Sequence, residues 1–151
     1  MIKIKTCTIE DIVSSSLYDN MILEYESECK NKNVNVDTLP NIDKYKAVES
    51  AGVLLCFGVY NYDTLVGFCI VIISEMLHYS QLATTVESQF ILKEYRRFGT
   101  AKKMYDFVER ECIRRGSKAM FMSAPIGSAL DKISKSIGYT PISTFFIKKI
   151  V

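Results

Sequence analysis

Residues 95–103 read Tyr95-Arg96-Arg97-Phe98-Gly99-Thr100-Ala101-Lys102-Lys103, with four cations around a glycine. They lie between a stretch with strand character and one with helical spacing. At such a junction the first amides of the helix lack intrahelical partners and carry partial positive charge, which makes an anion site. Gly99 removes a side chain where an anion needs close backbone approach, and Ala101 keeps the next position small. Lys102 and Lys103 stand on the unfavourable side of the helix dipole, at a cost of a few tenths of a kcal/mol each. A bound polyanion would resolve that conflict.

Proton-transfer chemistry has fewer candidates. His78, the only histidine, has the unperturbed pKa nearest neutrality and sits in a polar loop over residues 75–81 with Glu75. Strand alternation over residues 83–92 predicts that Thr85, Glu87, Gln89 and Ile91 share one face, so that Glu87 points with the residues leading into the basic loop.

The elements that must position these groups follow from periodicity and capping. Residues 2–7 read as a strand, and Thr8 with Asp11 forms a capping-box signature ahead of Ile9, Ile12, Val13 and Leu17. Met21, Ile22, Tyr25 and Cys29 continue at helical spacing, a polar loop covers residues 30–35, and Asn41 caps a helix stopped by Gly52. Residues 53–60 and 65–74 are strands joined by a four-residue polar connection. From Thr100 onward Ala101, Met104, Tyr105, Val108 and Cys112 form one apolar stripe ended by Gly116. Residues 119–122 read as a buried strand, Ser128 with Asp131 caps a helix ended by Gly138, and residues 142–151 read as a closing strand. Hairpins mixed with helical crossovers predict a broadly α/β fold (α+β in some schemes): a mixed, mostly antiparallel sheet flanked by helices.

Composition bounds the possibilities. With 151 residues, one domain over residues 1–151 is expected. A net charge of +2 gives no general support for a polyanion partner, so nucleic acid is not expected. The basic segment also lacks interleaved exposed aromatics. Five scattered cysteines without a C-x-x-C pair suit a reducing cytoplasm, and one histidine leaves too few ligands for a metal site. The longest apolar run, residues 66–73, is too short to span a membrane, and no export signal pattern opens the chain. A soluble cytoplasmic protein, monomer or homodimer, is expected.

Arg96-x-x-Gly99-x-Ala101 resembles the Q/R-x-x-G-x-G/A signature of the GNAT N-acetyltransferases, placed after a strand and opening the long helix as in that superfamily. Residues 90–96 resemble the strand end before that loop, with Lys93 where many members have proline. Residues 128–139 resemble the helix ending in Gly-Phe or Gly-Tyr. The similarity runs from residue 53 onward, and the His78-Tyr79 and Gly138-Tyr139 segments resemble small GNAT proteins of tailed phages, for which the cytoplasm would be the host's.

The resemblance implies an acetyl-CoA-dependent N-acetyltransferase (an acyltransferase) acting by direct attack of an amine on the thioester. The amine acceptor would be a small molecule or a protein. Main-chain groups of Gln89, Phe90 and Ile91 would pair with the pantetheine arm of coenzyme A, and the segment Arg96, Arg97, Phe98, Gly99, Thr100, Ala101 and Lys102 would hold the pyrophosphate. Glu87 falls where several members carry a carboxylate that relays a proton through water, with Glu75 and His78 as competitors. Ser134 aligns with the tyrosine that many members use to protonate the thiolate, and a serine is a poor acid. Gly127 or Ser128 replaces an asparagine often found nearby. A GNAT-fold protein that keeps the coenzyme site without turnover is therefore the alternative.

Overall fold

The computed structural model describes residues 1–29, 39–97 and 99–151. The loop expected over residues 30–35 and the pyrophosphate role expected of Phe98 lie outside the described residues.

The chain begins with β1 (Ile2–Cys7) and α1 (Ile9–Val13). Thr8 Oγ1 accepts from the Asp11 amide while Asp11 Oδ2 accepts from the Thr8 amide, so the capping box is complete. Two further helices, α2 (Tyr18–Cys29) and α3 (Ile42–Ser50), precede the sheet, and Asn41 caps α3 through the Lys44 amide. Then come β2 (Leu54–Asn61), β3 (Thr64–Met76) and β4 (Gln81–Ile91). After a 3-10 turn at Lys93–Tyr95 follow α4 (Thr100–Arg114), β5 (Met120–Phe121) and α5 (Ala129–Ser136).

The sheet order is β1-β2-β3-β4-β5, antiparallel except for the parallel β4–β5 pair. It is the mixed, mostly antiparallel α/β architecture expected. Its two faces are covered by different helices. Phe90 meets Tyr25 of α2, and Cys56 meets Glu49 of α3. On the other face Phe57 meets Phe107 of α4, and Tyr139, just beyond α5, meets Tyr105 of α4. The α4 stripe is buried at Met104, Tyr105, Val108 and Cys112, as its spacing demands.

Two expectations need correction. Residues 142–151 form no strand: the segment has no regular secondary structure and is exposed along its whole length. Its alternating apolar pattern suits a strand, but pairing requires a neighbouring edge, and its own chain does not bring one to it. Secondly, Thr85, Glu87, Gln89 and Ile91 do not share a face. Val86 pairs with Val71 and Ser88 with Ile70, so Glu87 is the extra residue of a β-bulge. The extra residue shifts the alternation, leaving Glu87 toward α3 and Gln89 toward α4.

Gly67 is required by close strand approach, since a Cβ there would lie 2.7 Å from the Phe90 carbonyl oxygen. It lets β3 support the end of β4 that leads into the basic loop.

Candidate active site

β4 and β5 pair only at Thr84 with Met120 and Thr85 with Phe121. Beyond Thr85 the strands part, and the β4 backbone from the bulge to Ile91 has no strand on that side among the described residues. The parting leaves an edge of unpaired main-chain groups.

That edge leads to the N-terminus of α4. The N-cap is Gly99, at φ +71°, which has no side chain to accept from the first-turn amides, and the first turn holds no acid. By contrast α1, α3 and α5 are capped by Thr8, Asn41 and Ser128 and carry Asp11, Asp43 and Asp131 in their first turns. A Cβ on Gly99 would meet nothing within 4 Å, so the space before the α4 amides is open. An uncapped helix start of this kind has the character of an anion site.

The cations around it divide by role. Arg96 Nε donates to the Ile91 carbonyl at 2.6 Å, its guanidinium bridges to Glu28 at 3.0 Å, and it lies over the Phe90 ring at 5.0 Å. Arg96 is thereby a brace between the end of β4 and α2. Glu24 of the same helix accepts from the Lys93 amide at 3.2 Å, so α2 holds the loop at two points. Lys102, whose placement suggested a bound polyanion, is compensated within its own helix by Asp106 at 2.6 Å. Arg97 and Lys103 are exposed and have no side-chain partner among the described residues.

Glu87 is exposed on its bulge, where Tyr45 Oη donates to Oε2 at 2.7 Å. Burial, then the Glu87 carboxylate, pushes the Tyr45 phenol well above its ordinary range, so it stays a neutral donor. His78 lies at the tip of the β3–β4 hairpin, exposed against Tyr79. It is roughly 20 Å along the strand from Glu87 at about 3.3 Å per residue, and Glu75 pairs with Leu82 near the same tip. The fold therefore brings neither of them to the bulge.

Ser134 is buried, with Oγ 2.7 Å from the Leu130 carbonyl and 3.0 Å from Met122 Sδ. Its one proton is committed to the preceding turn. The hydroxyl that reaches β4 on this face is that of Tyr105, which donates to Gln89 Oε1 and whose pKa burial raises. Tyr139 Oη donates to Glu109 at 2.8 Å. Tyr45, Tyr105, Glu24 and Glu28 escaped the sequence reading as site residues, because their partners are remote in the chain; helical spacing explains Tyr105 as core, which it also is.

A mixed sheet that opens between its fourth and fifth strands defines an α/β fold in which an unpaired strand edge leads to an uncapped helix N-terminus. The family model described as Acetyltransferase (GNAT) family matches residues 19–126. The chain belongs to that acetyltransferase family. Its fold is similar to that of ribosomal-protein-alanine N-acetyltransferase from Brucella melitensis biovar Abortus 2308, with 16% identity, a TM-score of 0.73 and 100% of both chains covered. Glucosamine-6-phosphate N-acetyltransferase from Arabidopsis thaliana matches at 13% identity and TM-score 0.73, covering 100% of this chain and 99% of that one. A structure of AAC(6')-Iy with the bisubstrate analogue CoA-S-monomethyl-acetylneamine matches at 15% identity and TM-score 0.71, over 100% and 99% of the chains. A search of curated protein sequences finds no match. Among the described residues no helix is long and apolar enough to cross a membrane.

Proposed function

We propose that this chain is a single acyl-CoA-dependent N-acyltransferase domain that moves an acetyl group from acetyl-CoA to an amine in the cytoplasm. The observation that carries this reading is the junction of the unpaired β4 edge with the open, uncapped α4 N-terminus at Gly99. Main-chain groups of Gln89, Phe90 and Ile91 suit the amides of a pantetheine arm. The first amides of α4, with Arg97 alongside, suit a pyrophosphate. An AAC(6')-Iy structure with a coenzyme A bisubstrate analogue shares this fold, which supports the choice of anion.

Acetyl-CoA supplies the thioester carbonyl. Glu87 then acts as the base for the amine, directly or through water, oriented by Tyr45. Because the bulge turns Glu87 to the α2–α3 face, the acceptor enters there, within reach of an exposed carboxylate. A cationic amine is favoured beside that carboxylate and must lose a proton before attack. Gln89 and Tyr105 lie on the opposite face, where the buried Tyr105 hydroxyl donates to Gln89 and positions the end of β4, and the proton left on nitrogen after attack passes through water to the departing thiolate. This arrangement leaves no acid role for Ser134.

The test is direct. Calorimetric titration with acetyl-CoA should give saturable binding, and incubation with an amine panel should give acetylated product by mass spectrometry. Binding without any acetylated product would leave the coenzyme-binding alternative, and no binding at all would overturn both.

A further inference from the structure

All the cysteines are free thiols, and two of them face each other across a strand pair. The antiparallel ladder of β1 and β2 runs without a break from Ile2 with Asn61 to Cys7 with Cys56. Cys7 and Cys56 are therefore direct cross-strand partners with side chains on one face of the sheet. Such partners stand about 4.5 or 5.5 Å apart at Cα, and both spacings lie within the range of about 4.4–6.8 Å that a disulfide spans. Their Cβ atoms must close by up to about 1 Å. β1 is the edge strand, paired only with β2 among the described residues, so it can yield.

The surroundings give the pair an entrance. Cys7 is half-buried and Cys56 buried. Asp11 and Tyr60 face the Cys7 thiol and also line a polar cleft of about 310 Å³ with Ser14, Ser16 and Asp63. Cys56 Sγ donates to Glu49 Oε2 at 3.5 Å, and the same oxygen accepts from the Ile9 amide at 2.7 Å. The other thiols stand apart: Cys29 is exposed at the end of α2, whereas Cys69 and Cys112 are buried on the α4 side of the sheet.

The two cysteines also bracket α1, α2 and α3, which all lie between them in the chain. A bond from Cys7 to Cys56 closes that stretch into a loop. It limits the freedom of the unfolded chain in the part that carries Tyr45.

We propose that Cys7 and Cys56 are a modification site, a reversible cross-strand disulfide that forms with a small-molecule disulfide as oxidant and staples the α1–α3 segment to the sheet. Cys7 attacks one sulfur of the oxidant as its thiolate, breaking the S–S bond and releasing one small thiol. Cys56 then attacks the Cys7 sulfur and releases the second. Two protein thiols are oxidised, the small disulfide is reduced to two thiols, and the two protons pass through solvent to the departing sulfurs.

Burial, then the Asp11 and Glu49 carboxylates, push the Cys7 thiol from 9.0 up to about 12 against the lowering hydrogen bond with Tyr60, and burial raises Cys56 in the same direction. Both are held protonated at neutral pH, so the pair stays open under reducing conditions and closes slowly where oxidant is sustained. That α2 and α3 form the acceptor side rests on the function proposed above, whereas the disulfide is independent of it.

The test holds the reduced full chain with oxidised glutathione at mildly alkaline pH, blocks the remaining thiols with N-ethylmaleimide and maps the peptides without reductant. The map should link Cys7 to Cys56. The melting temperature should rise by about 5–15 °C and fall back with dithiothreitol. Cys29→Ser should close the same bond. Cys7→Ser should lose both the link and the rise, and Cys56→Ala should stop at the glutathione adduct of Cys7. The wild-type map decides the matter should either variant fail to fold. Thiols that stay unlinked after prolonged exposure, a link from Cys7 to Cys29, an arrested adduct in the wild type or a bond without a rise in melting temperature would each overturn the proposal. Acetyl-CoA titration of the same reduced sample keeps the two readings separate, since absent binding would sink the function and leave the disulfide standing.

Discussion

Tyr45 of α3 donates a 2.7 Å hydrogen bond to the carboxylate of Glu87, the bulged residue of β4, across a sequence separation of 42. The bond ties the helical face of the sheet to the one carboxylate standing where β4 loses its neighbour. It is the most informative contact for the chemistry proposed.

Glu87→Gln should lower kcat/KM for acetyl transfer by about 10² to 10⁴, the usual range for a lost general base. Tyr45→Phe should lower it by roughly tenfold, the cost of one hydrogen bond to a charged group. Both should bind acetyl-CoA normally by calorimetry. Full activity of Glu87→Gln would remove the carboxylate from the mechanism.

Gly99→Val places a β-branched residue at φ +71° and fills the open space before the α4 amides. Gly52, at φ +81° with equally open surroundings, is a matched control. Each substitution should cost about 1–3 kcal/mol of stability through backbone strain. Only Gly99→Val should weaken acetyl-CoA binding, by at least about 100-fold, because only there does the side chain stand at a helix N-terminus. Equal affinities in the two variants would show that the loop does not hold the coenzyme.

Arg96→Ala and Arg97→Ala should separate bracing from binding. The former loses contacts to Ile91, Glu28 and Phe90 and should lower the melting temperature. Arg97→Ala should leave the melting temperature alone and raise the acetyl-CoA Kd about fivefold, with reduced salt dependence, as expected for an exposed cation near a phosphate. The reverse pattern in melting and titration would exchange their roles.

Ser134→Ala should keep kcat within about twofold, since its hydroxyl is committed to Leu130 and Met122. Tyr105→Phe should lower kcat more than it raises KM, by losing the bond to Gln89. A large kcat loss in Ser134→Ala, with the melting temperature unchanged, would restore the serine to the reaction.

Alkali should destabilise the fold before it alters local chemistry. Burial pushes Tyr25 from its ordinary 10.0 up to about 12 and Cys7 from 9.0 up to about 12, and it raises Tyr45, Tyr105 and Tyr139 in the same direction. The folded state thus keeps protons that the unfolded chain releases. The stability they contribute is whole below about pH 9 and lost between about pH 9 and 12. Melting curves under reducing conditions should be flat across neutral pH and fall through that window; a melting temperature constant to pH 11 would contradict the sign.

Local signals made much of this molecule legible without coordinates. The Thr8 and Asn41 caps, the α4 stripe, the hairpin strands and the glycine at the basic loop are each set by residues within a few positions of one another, where periodicity and capping act directly. The strand, basic loop and helix start in that order were enough to point to an anion site and to the family resemblance.

Tertiary structure alone decided the rest, because it depends on partners far apart in sequence. The face of Glu87 turns on a single extra residue in the β3–β4 register, which alternation within β4 cannot reveal. Arg96 reads as one cation of the basic loop, and only the fold shows that Glu28, 68 positions away, pairs with it. Residues 142–151 carry the pattern of a strand, yet a strand exists only where another edge meets it, and the pattern alone cannot supply that edge.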